Sequence, residues 1–102
     1  SVQIEFESSV DVADAKRVLA EYDGMIVVDD PSKNEYPMPL RAAGRDEVLV
    51  GRIRKDIAHE NGIALWLACD NLRKGAALNA LQIMDEALRR DAFKPAAQRT
   101  AT

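Results

Sequence analysis

The sequence predicts an α+β domain built on a mixed, largely antiparallel sheet with helices packed on it. Three observations carry that expectation. The runs 47–54 and 63–70 are strand-length and rich in apolar residues, and the polar stretch between them ends in Asn61-Gly62. That is the pattern of an antiparallel hairpin. In the second run Ile63, Leu65, Leu67 and Cys69 alternate with Ala64, Trp66 and Ala68, so both faces are apolar, as a sheet covered on both sides requires. Upstream, a strand pattern, a one-sided helical pattern and a second strand pattern follow one another closely. Such an order suggests a crossover unit.

Taken from the start, Val2, Ile4 and Phe6 alternate with Gln3, Glu5 and Glu7, a half-exposed strand. Asp11 is the expected N-cap of the next element, with Asp14 in the first turn where the helix dipole favours negative charge. Val12, Ala15, Val18, Leu19 and Tyr22 then recur at helical spacing. Gly24 is expected to end the helix in a left-handed conformation. Met25-Ile26-Val27-Val28 is short and wholly apolar, a buried strand that Asp29-Asp30-Pro31 stops. The stretch 32–43 has no period and carries Pro37 and Pro39, which exclude a helix interior and a central strand. A connection of this length is either an interface or active-site rim or a plain surface loop. In the 47–54 strand, strict alternation places Val48, Val50, Arg52 and Arg54 on one face and Leu49, Gly51 and Ile53 on the other. The last helix is expected over about 71–90, with Asn71 as its N-cap. Leu72, Ala76, Leu78, Ala80, Leu81, Ile83 and Met84 make its first half apolar almost all round, which predicts burial on more than one side. Gly75 would let a backbone or a flat ligand come close to its first turn. Residues 91–102 read as a flexible tail.

Composition narrows the function classes. A chain of 102 residues has room for one modest core. Its net charge of −3 and 5% aromatic content argue against a nucleic-acid surface. No apolar run is long enough to span a bilayer, and a single cysteine fits a reducing compartment. These features read as a soluble cytoplasmic protein with neither a nucleic-acid nor a membrane partner. Ser1 leads straight into a strand, so the sequence also reads as a piece of something longer.

The chemistry-bearing residues do not assemble a catalytic set. His59 lies in a polar turn beside Asp56 and Glu60, without the nucleophile and orienting group that a general base needs. Cys69 stands at the end of an apolar strand just before the expected helix, a place for a nucleophile, but no histidine accompanies it, and a buried cysteine is ordinarily packing. One His and one Cys cannot build a structural zinc site. Arg52 and Arg54 share a predicted strand face and are suited to grip a carboxylate or phosphate. Arg73-Lys74 stand in the expected first helical turn, where the dipole repels cations; the pair reads first as simply solvated, and second as a hint of an anion or an acidic partner. No catalytic residue and no metal ligand is expected in this chain.

Four blocks carry a resemblance: Val27-Val28-Asp29-Asp30-Pro31, Tyr36-Pro37-Met38-Pro39-Leu40, Val50-Gly51-Arg52-Ile53-Arg54, and the run from Asp70 to Ile83. In this order they resemble the C-terminal third of bacterial aspartate-semialdehyde dehydrogenase, from Val2 to about Leu88. The resemblance implies part of the glyceraldehyde-3-phosphate-dehydrogenase-like C-terminal domain, with residues 1–90 (the last helix included) serving dimerization. It also implies a parent enzyme that makes L-aspartate 4-semialdehyde from 4-phospho-L-aspartate with NADPH, in lysine, methionine, threonine and diaminopimelate synthesis. The family's nucleophilic cysteine and its histidine would both lie upstream of Val2, and neither Cys69 nor His59 matches them. Asn71 matches a cofactor contact near the nicotinamide, while the NADP would be bound mainly by an N-terminal domain. The expectation is therefore an inactive C-terminal piece of a homodimeric or larger oxidoreductase acting on a small-molecule substrate. The alternative is a stand-alone interaction or ligand-binding α+β domain without catalysis.

Overall fold

The computed structural model describes residues 1–93, so the part of the expected tail from 94 to 102 lies outside the described residues. Residues Ser1–Asp70 form one compact unit, and a second begins at Asn71.

The first unit is a four-stranded sheet in the order β1-β4-β3-β2, made of β1 (Val2–Glu5), β2 (Met25–Val27), β3 (Val48–Lys55) and β4 (Gly62–Ala68). β1 and β3 each pair antiparallel with β4, and β2 pairs parallel with β3. It follows that β1 and β2 run in the same direction on opposite edges of the sheet. The expected crossover is present, and its two strands are separated by the β3–β4 hairpin, a split β-α-β arrangement. Its helix α1 (Val12–Glu21) starts where Asp11 accepts hydrogen bonds from the amides of Ala13 and Asp14. Three residues past its end, Gly24 takes a φ of +87°.

The topology also explains the long connection after β2. Parallel neighbours need a crossover of a dozen residues or more. Residues 28–47 supply it through a single 3-10 turn (Pro31–Lys33) and a short helix α2 (Pro39–Ala42). Pro39 stands at the start of α2, where a missing N–H costs nothing.

The two faces of the sheet are closed differently. Val12, Ala15 and Leu19 of α1 pack on a buried cluster of Val50, Ile53, Ile63 and Leu65. On the other face, Ala42 of α2 closes one end with Leu49 and Ala68, flanked by Ile26 and Val28. The remainder of that second face is open.

Strict alternation fails in β3. The register slips between Gly51 and Arg54, and Arg52 takes a φ of +54°. Two residues, Arg52 and Ile53, therefore oppose Leu65 alone, which is a β-bulge. Ile53 moves to the α1 face beside Val50, and Arg54 moves to the open face opposite Ala64. The expected grouping of Arg54 with Val48 and Val50, and of Ile53 with Leu49, is thus corrected by one extra residue.

The second unit differs from its sequence reading at the start. Residues 71–76 are turns, and α3 runs Ala77–Arg89. Its N-cap is Ala76, which makes no side-chain cap hydrogen bond. Asn71 is therefore not the N-cap. Gly75 takes a φ of +89° with open space around the place a Cβ would occupy, so it serves the turn and not a close approach. Arg73 and Lys74 precede the helix; Lys74 Nζ donates to Gln82 Oε1 at 2.8 Å. The helix buries no side chain, and Leu81, Met84 and Leu88 form an exposed apolar stripe at helical spacing.

Candidate functional site: a cleft on the open face of the sheet

On the open face a cleft of about 350 Å³ is lined by Tyr36, Pro37, Met38, Arg52, Arg54 and Trp66, among others. Its wall is the chain entering α2, and its floor is Trp66 of β4. Two contacts hold the wall down. Trp66 Nε1 donates to the Pro37 carbonyl oxygen at 3.1 Å. Across the strand pair Trp66 stands opposite Gly51, and a Cβ at Gly51 would lie 2.1 Å from the Val28 carbonyl oxygen and 2.6 Å from Pro37 Cδ. Only glycine allows both neighbours so close. Pro37 is fully buried as a result, while Tyr36 and Trp66 stay 43% and 41% exposed at the surface of the cleft.

Arg52 and Arg54 come to this cleft through the bulge, and Asp29 fixes the bulge. The Asp29 carboxylate accepts from the Arg52 amide at 3.0 Å and from the Ile53 amide at 3.1 Å. It also pairs with Lys16 Nζ of α1 at 2.8 Å, with its side chain only 1% exposed. Burial pushes the carboxyl up. Hydrogen bonds from Lys16 and from the Ile53 and Arg52 amides outweigh burial and hold it below the ordinary carboxylate value. One side chain thus ties the end of β2, the bulge of β3 and the helix together. Arg54 Nη1 in turn donates to the Arg52 carbonyl oxygen at 2.6 Å. Neither guanidinium meets a carboxylate among the described residues.

The other sequence candidates fall elsewhere. His59 sits in the β3–β4 turn, its Nδ1 accepting from the Asn61 amide at 3.2 Å. Cys69 is half-buried just past β4. Asn71 opens the turns of the second unit. Among the described residues no cluster of histidine, cysteine and acidic side chains is arranged to hold a metal ion, and no helix is long and apolar enough to cross a membrane. Sequence reasoning paired Arg52 with Arg54 but missed Asp29 and the Trp66–Pro37 contact. The available signal was Gly51 in the middle of an apolar strand, which marks a bulge or a close approach.

Fold and surface together define an α+β domain with a split β-α-β sheet, closed by a helix on one face and open, aromatic and cationic on the other. The chain belongs to the semialdehyde dehydrogenase dimerisation-domain family, whose model matches residues 1–74. It is 52% identical over 85 residues to an aspartate-semialdehyde dehydrogenase of Aquifex aeolicus, covering 83% of this chain and 25% of that protein. Against the aspartate-semialdehyde dehydrogenase of Bacillus subtilis the identity is 49% over 86 residues, covering 83% and 25%. Among solved structures it is similar to aspartate semialdehyde dehydrogenase II of Vibrio cholerae complexed with ASA. That match has a TM-score of 0.75 and 40% identity, and covers 85% of this chain and 25% of that one. A probable aspartate-semialdehyde dehydrogenase from Pseudomonas aeruginosa matches at a TM-score of 0.72 and 35% identity, again over 85% and 25%. The chain spans about a quarter of the length of the relatives it matches.

Proposed function

We propose that this chain is the C-terminal dimerization part, residues 1–90, of an NADP-dependent aspartate-semialdehyde dehydrogenase. The parent would be a cytoplasmic enzyme of amino-acid biosynthesis that reductively dephosphorylates 4-phospho-L-aspartate to L-aspartate 4-semialdehyde. The observation that carries this reading is the match of residues 1–74 to the dimerisation domain, extended by identity with named dehydrogenases over 83% of the chain. The catalytic groups belong to the rest of the parent protein, and the chain alone is inactive. Its own work is assembly. The open sheet face offers Trp66 and Tyr36, and aromatic and arginine residues are those enriched where two chains meet. Asn71, in the turns that precede α3, supplies one contact to the NADP near its nicotinamide, which the Asp70–Ile83 likeness supports.

The test is a pair of proteins. The 102-residue chain is assayed with NADP, aspartate semialdehyde and phosphate, and should give no turnover. A chimera of the Aquifex aeolicus enzyme, with its matched 85 residues replaced by this chain, should turn over, and Asn71→Ala in it should raise the KM for NADP several-fold. Turnover by the chain alone would overturn the reading. A folded, dimeric but inactive chimera would do so too.

A further inference from the structure

We infer that the Arg52–Arg54 cleft is an oxyanion-binding site, taking a carboxylate or phosphate group between its two guanidiniums. The inference rests on the geometry of the cleft, which lies on the same open face that the reading above assigns to assembly.

Four observations converge on it. Both arginines line one cleft, on a chain whose net charge is −3. Two cations brought together on one face repel each other, and an anion between them offsets that cost. Neither has a carboxylate partner among the described residues, although Arg17, Lys16 and Lys33 all do.

The backbone beneath them is held against its own preference. Arg52 adopts a φ of +54°, at a bulge position where glycine is the usual occupant. A non-glycine residue there is strained and persists only where its surroundings over-determine it. Asp29 provides that, accepting from both bulge amides. The bulge re-aims the strand so that Arg52 and Arg54 meet the same cleft, which plain alternation beside a paired Val50 would not achieve on this face. Arg54 is oriented further by its hydrogen bond to the Arg52 carbonyl oxygen, leaving its remaining N–H groups for a ligand.

The rest of the cleft suits a ligand of modest size. Tyr36 on the wall and Trp66 on the floor give it partly exposed aromatic surfaces, and the Trp66–Pro37 hydrogen bond keeps the wall in place without a ligand. Two arginines and two aromatic side chains at one cleft suit an oxyanion carried on a compact organic or inorganic group. Two sources offer that chemistry: a free small acid or phosphate, and a carboxylate side chain of a second copy.

Trp66 is the only tryptophan of the chain and reports on the cleft directly. Its emission is titrated with inorganic phosphate, then with succinate, at constant ionic strength held with chloride. The same titrations are made on Arg52→Gln, Arg54→Gln and the control Arg17→Gln, each checked for fold by circular dichroism. Sedimentation equilibrium is run on all four proteins with and without phosphate. A saturable response in the wild type and control, weakened tenfold or more in each cleft variant with association unchanged, supports the site and assigns it to a free anion. A tenfold weaker association in the two cleft variants, mimicked in the wild type by added phosphate, supports the site and assigns the oxyanion to a second copy. Cleft variants that match the control in both measurements overturn the inference, as does a phosphate response that survives both substitutions.

Discussion

At Gly51 an added methyl group would sit 2.1 Å from a main-chain oxygen and 2.6 Å from a proline ring. The oxygen is that of Val28, in the chain paired to β3, and cannot swing aside as a side-chain tip can. Gly51→Ala should therefore destabilise the fold by about 1–3 kcal/mol, as overpacking does, and loosen the cleft wall. A urea midpoint beside the wild type checks it. Asp29 is the other residue on which the cleft depends. In Asp29→Asn one carboxylate oxygen becomes an amide donor facing a backbone N–H, and Lys16 loses its partner; the expected loss is about 1–3 kcal/mol. The pH dependence has a definite sign. The folded carboxyl lies below its ordinary value of 3.8, so its contribution is complete above that pH and is lost as pH falls through 3.8 towards the folded value. The stability gap between wild type and Asp29→Asn, measured from pH 7 to 3, should hold steady above 3.8 and narrow below it. A constant gap would contradict the assignment.

At the scale of elements, the β3 bulge trades backbone ease for position. Arg52→Gly removes the cost of a positive φ and should stabilise the chain by about 1 kcal/mol, the scale of such strain less the entropy that glycine adds to the unfolded state. The same substitution should weaken anion binding in the cleft. A gain in urea midpoint with a loss of phosphate response is the predicted pair. This bulge also marks the limit of what the sequence reveals. The Glu47–Arg54 strand, its hairpin with β4, the N-cap Asp11 and the strand-helix-strand order of the crossover are legible because each rests on local pattern or local turn chemistry. The exchange of Ile53 and Arg54 between faces is not legible, since it depends on Asp29, 23 and 24 positions away, accepting from the bulge amides. The start of α3 was hidden for a different reason. Asn71 has the chemistry of an N-cap, but Gly75 at a φ of +89° keeps the chain in turns until Ala77, and a glycine is read as a helix breaker or as a close contact with equal ease. The 32–43 stretch has no legible period because its order comes from the sheet: it is the crossover that parallel β2–β3 pairing demands.

For the whole molecule, the sheet faces divide the labour. The α1 face closes the core of the first unit through Val50, Ile53, Ile63 and Leu65. The open face keeps Trp66, Tyr36 and two arginines at the surface, where a self-sufficient domain would place helices or polar side chains. In the reading proposed above, that exposure serves dimerization. Sedimentation equilibrium of the 102-residue chain, run with Trp66→Glu on the open face and Val18→Glu on the exposed side of α1, tests this most directly. The expected result is a reversible dimer for the wild type, the same dimer for Val18→Glu, and a monomer for Trp66→Glu. A wild type that stays monomeric at every concentration, or a dimer that survives Trp66→Glu and is lost in Val18→Glu, would contradict it.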